Sequence, residues 1–432
     1  MAIQEKFLLY SSMSFSAALL LQFYQSKAQF FYVVELKMEP TLYGLAIGIW
    51  AIYNSINDPL FGWMMDRFPT RWGRRIPWMV LFMIPLCISF ALIWTPPNFG
   101  SMTYTFLWLV AMLLIFDTGY TIVVLAWAAL FPEMFKNLDD RSFVSASRQV
   151  FSIVALVVAL VLPPFFVKDG DIASYGRFGW ILAGISFLNI TLALFGCHEP
   201  HAKNEDLETY SLKEGIQILL TNRNFQAFLF VNTITYYAYG QLLSMFPFYR
   251  KFILDKAEDF EIATYGAALG ITVLTLPFWV RITNKGSPKR TFVASSIAFS
   301  LTLIPLWFTF PDVIVITIMG LVGLGLAGLL MVVDLLISEV IDDDYLKSGV
   351  RREGIFFGFN GFFIRLAILM QAVTFATVSD WSGFDQNLSE QDELGKIGIK
   401  IQMLLLPILL LAVSIFVIHR FYHVRSDQAS AE

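Results

Sequence analysis

Histidine and cysteine are scarce in this sequence, and charge is thin. Four histidines (His198, His201, His419, His423) and two cysteines (Cys87, Cys197) stand among 432 residues. The cysteines lie in or at the end of apolar segments, too far apart in sequence to form a metal or redox motif. No nucleophile–base pair, phosphate loop or metal motif is present, so the chain is read as neither an enzyme nor a cofactor or metal protein. Charged residues make up only 15%, against ~25% in an average soluble domain. A net charge of −4 offers no basic surface for nucleic acid. The first apolar run is too long for a signal-peptide core and has no convincing cleavage site, so it reads as a membrane span.

What is present in quantity is apolar. Hydrophobic residues reach 57% and aromatics 16%, including 42 Phe, and a spanning helix needs ~20 mostly apolar residues. Twelve such segments can be drawn, at 7–34, 41–65, 76–95, 103–131, 144–167, 177–197, 223–254, 263–283, 291–310, 313–340, 355–379 and 398–422. The expected fold is therefore an all-α membrane protein whose partner is the lipid bilayer. The sizeable polar connection in the middle, 198–222, separates six spans from six. This predicts an N-terminal six-helix half (1–197), a cytoplasmic central loop (198–222), and a C-terminal six-helix half with a short tail (223–432). Within the loop, Ser211-Leu212-Lys213-Glu214 has the form of a capping box opening a short helix.

Lysine and arginine bias loops toward the cytoplasm. Arg67, Arg71, Arg74, Arg75, Lys136, Arg141, Lys203, Lys213, Lys285, Lys289, Arg290, Lys347, Arg351 and Arg352 fall on one side; Lys37, Lys168, Arg177, Lys256 and Lys396 fall on the other. Both termini are thereby expected in the cytoplasm of a cell-membrane protein. Arg250 and Lys251 run against the pattern and are expected to snorkel.

The stretch from Tyr53 to Pro77, YNSINDPLFGWMMDRFPTRWGRRIP, leaves one apolar segment at Asp66, crosses four arginines and enters the next at Ile76. Its spacing Gly62-x3-Asp66-Arg67…Gly73-Arg74-Arg75 resembles the loop between helices two and three of the major facilitator superfamily. With Asn57-Asp58-Pro59 upstream it resembles more narrowly the glycoside–pentoside–hexuronide:cation symporters, the melibiose-carrier group. The segments 133–148 and 339–353, with Asp117-Thr-Gly-Tyr-Thr, extend the resemblance over most of the chain. It implies a twelve-helix secondary carrier of a small organic solute, a sugar or glycoside at family level, working by alternating access.

The resemblance also assigns roles. In that group a cation site draws carboxylates from helices two and four, with a basic residue on helix eleven nearby. Here Asp58 matches one carboxylate and Arg365 the base, while the other acids fall on Asn54 and Val124. The helix-one acid that recognises sugar hydroxyls falls on Ala18, and the galactoside-stacking tryptophan on Ala128, beside Trp127. Asp58, Asn54, Asn57 and Thr121 still offer oxygens, but with less charge than a bare sodium ion favours. A coupling proton carried by Asp58 is thereby expected in place of sodium, with uniport open beside it.

An ionised side chain at the centre of a span costs about 2.5–3.5 kcal/mol on insertion scales, so such residues face a partner or a water-filled cavity. They are Asp58, Asp117, Arg148, Arg365 and Lys27, with Asp334 and Glu339 late in span ten. Asp58 and Arg365 read equally as an ion pair between the halves or as direct contacts to ion or solute. Arg148 can grip a hydroxyl or anionic group, or pair with Asp58. Lys27 is expected to snorkel outward or to contact the solute, and Asp117 to sit in the packed core or face the solute. Asp66 with Arg67, Arg74 and Arg75 reads as a gating latch. Tyr120, Trp127 and Tyr236 can stack a sugar ring or hold an acyl chain. A lysophospholipid-like solute is the alternative within transport; a non-transporting sensor or scaffold is the alternative outside it. A monomer is expected.

Overall fold

The computed structural model describes residues 3–67, 73–98, 100–135, 138–199, 217, 220–349 and 353–424. Each of the twelve apolar windows forms a long helix. They are α1 (Ile3–Phe30, continued by a π-turn Phe31–Glu35), α2 (Pro40–Arg67), α3 (Ile76–Ile93), α4 (Met102–Met134), α5 (Leu138–Val161) and α6 (Ile172–Gly196). After the central segment come α7 (Arg223–Phe252), α8 (Phe260–Lys285), α9 (Pro288–Leu303), α10 (Asp312–Ser348), α11 (Glu353–Trp381) and α12 (Glu393–Phe421). Ten of them are long and apolar enough to cross a membrane. The other two, α2 and α7, are as long but more polar, with Asn54, Asn57 and Asp58 in one and Asn224, Asn232 and Gln241 in the other.

Helix ends follow capping chemistry more closely than hydropathy. Asp171, Asn222 and Asp392 each accept a backbone N–H three residues on, at 3.2, 3.0 and 2.7 Å, and so open α6, α7 and α12. Helix α10 outruns its apolar window by eight residues, ending at Ser348 before Gly349 (φ +72°). The extension is polar but helix-forming, and Lys347 pairs with Asp343 one turn back at 2.5 Å.

The chain divides into two compact units between Asp206 and Leu207. In the first, α1 packs on α5 and α6, α3 on α4 and α6, and α2 on α4. In the second, α7 packs on α11 and α12, α9 on α10 and α12, and α8 on α10. Counting helices from one to six within each unit, the two sets of pairings are the same. Helix α10 is gripped closely: a Cβ on Gly323 would lie 2.1 Å from the Ala268 carbonyl oxygen of α8, and one on Gly325 2.4 Å from the Phe299 nitrogen of α9. Small residues allow such approach where no water drives helices together. In the first unit the buried Trp94 ring anchors an aromatic cluster with Phe23 (4.6 Å between centroids), Phe31 (5.4 Å) and Tyr175 (6.3 Å).

Two expectations about basic residues need correction. Arg250 does not snorkel: it is 1% exposed and pairs with the fully buried Glu261 at 2.9 Å, and its second arm donates to the Lys256 carbonyl at 2.5 Å. Its partner lies across the α7–α8 turn, and the bond removes the need to reach water. Lys27 is also buried, 3% exposed, and engaged by its surroundings. The Ser211–Glu214 helix start, Arg71, Arg351 and Arg352 lie outside the described residues, as do the side chains of Asp58, Asp66, Arg67 and Arg141.

Breaking a buried ion pair by removing one partner costs about 3–5 kcal/mol, because the other charge is left uncompensated. Glu261→Gln should therefore lower the thermal midpoint in detergent sharply, while Arg250→Met with Glu261→Leu should recover most of the loss. A single variant that melts like the wild type would show that the pair carries no stability.

Candidate functional site

Asparagines 54 and 57 lie three residues apart on α2, and Asp117 and Thr121 four apart on α4, so each pair shares a helix face. Because α2 packs on α4, the two faces meet. The Nδ2 of Asn54 donates to one Asp117 oxygen and the Nδ2 of Asn57 to the other. All three residues are at least nine-tenths buried, as is Thr121. One residue along each helix, the Tyr53 hydroxyl meets the Thr118 hydroxyl at 2.6 Å and fixes the register.

Two neutral amides thus clamp a buried carboxylate, and each leaves its own Oδ1 buried without a hydrogen-bond partner among the described residues. An orphaned acceptor costs about 1–3 kcal/mol, so a pair of them beside a carboxylate marks a place that gains from a proton-bearing group or a hard cation. Amide orientation and protonation are linked there. An ionised Asp117 requires N–H groups toward it; a protonated one can donate to an amide oxygen instead.

The second cluster in this unit lies where α1, α4 and α5 meet. Tyr10 and Trp127 exchange hydrogen bonds, the hydroxyl to the Trp127 carbonyl at 2.9 Å and the indole N–H to the Tyr10 carbonyl at 3.0 Å. The Arg148 guanidinium lies over the Trp127 ring at 4.2 Å and near Phe131 at 5.4 Å. Ser14 holds the backbone of Arg148, donating to its carbonyl at 2.8 Å. Trp127 is 3% exposed, so it serves as the shelf beneath Arg148 and has no open face on which a sugar ring could stack. Arg148 is half-buried, and among the described residues no carboxylate or other acceptor takes its N–H groups. Its edge is available for a bidentate grip on oxygen. Tyr120 stands a turn from Asp117 and donates to the Ala17 carbonyl at 3.3 Å.

In the second unit the polar side chains line the seam between α7 and α11. Asn232 donates to Asn360 at 2.5 Å, Tyr237 meets Thr374 at 3.1 Å, and Gln371 donates to the Tyr236 carbonyl at 3.1 Å. Arg365 is half-buried on α11 and Asp334 exposed on α10, while Glu339 accepts from the Tyr422 hydroxyl at 3.0 Å. Sequence reasoning missed Tyr10, Asn232 and Asn360. A lone amide in an apolar span was the available signal for the last two, and Tyr10 carried none.

The family described as MFS/sugar transport protein matches residues 9–425. The chain belongs to it. This is a multi-pass membrane protein, a secondary transporter of a small solute and not an enzyme. Over 170 residues the transporter is 32% identical to an uncharacterized symporter of Synechocystis sp., a stretch covering 38% of this chain and 31% of that protein. It is 24% identical to the isoprimeverose transporter of Lactiplantibacillus pentosus over 366 residues, 82% of this chain and 75% of that one. It is 21% identical to the sodium-dependent lysophosphatidylcholine symporter 1 of Mus musculus over 414 residues, 87% and 77% of the two chains. Among solved structures, the nucleoside transporter NupG shares its fold with a TM-score of 0.69 at 14% identity, covering 97% of this chain and 100% of that one.

The clamp around Asp117 is testable by a double-mutant cycle on thermal stability. Asn57→Ala should destabilise the wild type by about 1–3 kcal/mol and the Asp117→Asn variant by clearly less. Effects that add to within about 0.5 kcal/mol would mean the two side chains do not act on one another.

Proposed function

We propose that this transporter moves a sugar or glycoside, gripped through paired oxygens by Arg148 and coupled to a proton at Asp117. The observation that carries the reading is the Arg148 guanidinium lying on Trp127 with its N–H edge unused among the described residues. A cation held on an aromatic face is fixed in position while its donors point elsewhere, the geometry suited to vicinal hydroxyls or an acidic group. The isoprimeverose transporter among the relatives supports a sugar. The coupling site comprises Asp117 with Asn54, Asn57 and Thr121, and Asp58 lies one residue beyond Asn57 on the same helix. One carboxylate clamped by two neutral amides suits a proton better than sodium, because it supplies little charge to offset the ion's lost hydration.

A second reading, a lysophospholipid-like solute, has its own observation. A cavity of about 370 Å³ between α7 and α11 is walled by Leu229, Phe230, Ile234, Phe363, Leu366 and Met370. Thr233, which also lines it, already spends its hydroxyl on the Leu229 and Phe363 carbonyls. Such a wall suits an acyl chain, and the lysophosphatidylcholine symporter is the relative that fits it.

The remaining assignments belong to the same reading. Both termini and the central segment lie in the cytoplasm of the cell membrane, the chain acts as a monomer, and Asp66 with Arg67, Arg74 and Arg75 forms the gating latch. For topology, an impermeant maleimide applied outside intact cells should label Ser389→Cys and spare Lys285→Cys; the reverse pattern would invert the orientation.

Uptake into proteoliposomes tests solute and ion together, with isoprimeverose and lysophosphatidylcholine as probes. Isoprimeverose should be taken up, Arg148→Gln should abolish uptake, and sugars should compete while lysophosphatidylcholine does not. The opposite competition pattern would establish the second reading. If the proton must bind before the solute, uptake rises as pH falls on the loading side, and Asp117→Asn removes that rise. A saturable sodium stimulation above about tenfold, equal to ~1.4 kcal/mol, at fixed pH would overturn proton coupling.

A further inference from the structure

The basic turn before α3 is held by a residue that none of the roles above uses. Glu199 stands three residues past the end of α6, near where the chain leaves the first unit. Its carboxylate accepts the backbone N–H of Arg74 at 2.6 Å and that of Arg75 at 3.1 Å with each oxygen. The seat is shaped for it. Gly73 has φ +120°, a backbone that favours glycine, and a Cβ there would stand 2.2 Å from the Glu199 Oε2, so a side chain at 73 would push the carboxylate off its seat. One residue earlier, the His198 N–H reaches the Met134 sulfur at the end of α4 at 3.4 Å. The same short segment is thus tied to the end of α4 and the start of α3.

The chemistry at this seat is favourable on three counts. The first N–H groups of a helix have no partner within it, and α3 begins at Ile76, immediately after Arg75. A carboxylate at that end is favoured by the helix dipole and makes charge-assisted bonds. The side chains of Arg74 and Arg75 add positive charge; Arg75 is 8% exposed, so its field is little screened.

We infer that Glu199 is a positioning residue for the transport cycle. It fixes the backbone of the basic turn to the segment that leaves the first unit, so that the turn exchanges ion-pair partners through its side chains without shifting its main chain. A turn released from this anchor would lose its two amide bonds to water and present its arginines from many positions. Opening and closing would slow while the solute site, elsewhere in the unit, kept its affinity. The inference rests on the latch reading of this turn. It also accounts for Gly73 in the Gly-Arg-Arg run, which that reading leaves unexplained.

The test uses the full-length protein and three variants: Glu199→Gln, which keeps the shape and loses the charge, Glu199→Ala, and Glu199→Asp as the conservative variant. Hydrogen–deuterium exchange reads the amides of Arg74 and Arg75, and alkylation of Cys197 in a Cys87→Ser background reads release of the segment. Both should speed up by about tenfold or more in Glu199→Gln, further in Glu199→Ala, and return partway in Glu199→Asp. Isoprimeverose and lysophosphatidylcholine serve as transport probes. For whichever is carried, the maximal rate should fall several-fold in Glu199→Gln with KM unchanged and recover partway in Glu199→Asp. Unchanged exchange and alkylation in Glu199→Gln would overturn the anchor. Faster exchange at an unaltered maximal rate would reduce Glu199 to a structural contact and overturn its role in the cycle. If the wild type carries neither probe, the solute reading fails by itself, and exchange and alkylation decide the anchor.

Discussion

A polar side chain inside a membrane span has lipid as its alternative partner, and an unsatisfied polar group there costs several kcal/mol. That penalty organises both units. In the first, Asn54 and Asn57 close on Asp117, Tyr53 on Thr118, and Tyr10 and Trp127 on one another. In the second, Asn232 closes on Asn360 and Arg250 on Glu261. Each of these contacts joins two helices, so satisfying the polar groups also sets which faces meet. Apolar packing then fills the space between them, down to the glycines that bring α10 against α8 and α9.

The contrast between complete and incomplete satisfaction separates structure from function. Arg250 and Glu261 are fully buried and bonded to one another, and nothing about them invites a ligand. Among the described residues, Arg148 is half-buried on its aromatic shelf and short of acceptors, while Asn54 and Asn57 keep orphaned oxygens around a carboxylate. Both deficits lie in the first unit, on α2, α4 and α5, while the apolar cavity lies in the second, between α7 and α11.

Spans were legible in the sequence because hydropathy and length act locally. Every window drawn at ~20 residues contains a helix, and the errors fall at ends such as Ser348, where capping and ion pairs replace lipid as the deciding factor. Candidate residues were legible for the same reason: a charge in an apolar run is visible without knowing its partner. Partners were not, since they depend on which helices pack. Asn57 lies 60 residues from Asp117, Tyr10 117 from Trp127, and Glu199 125 from Arg74. Trp127 shows the consequence. Its neighbour in the family pattern stacks a sugar, but here the indole is enclosed by Tyr10 and Arg148.

The position of Asp117 bears on how far the family pattern carries over. The acids expected on α2 and α4 are replaced by Asn54 and Val124, which on sequence alone removes most of the charge from the ion site. The structure puts a carboxylate back on α4 two turns earlier and lets the asparagines of α2 receive it. Asn54 and Asp117 therefore act on one another directly. An aspartate at 54 would set a second negative charge against Asp117 in a buried place, where like charges cannot both ionise without a cation between them. An asparagine there lets the Asp117 carboxylate be satisfied by neutral donors. The carboxylate therefore sits between two neutral amide donors, a lower charge density than paired acids would give.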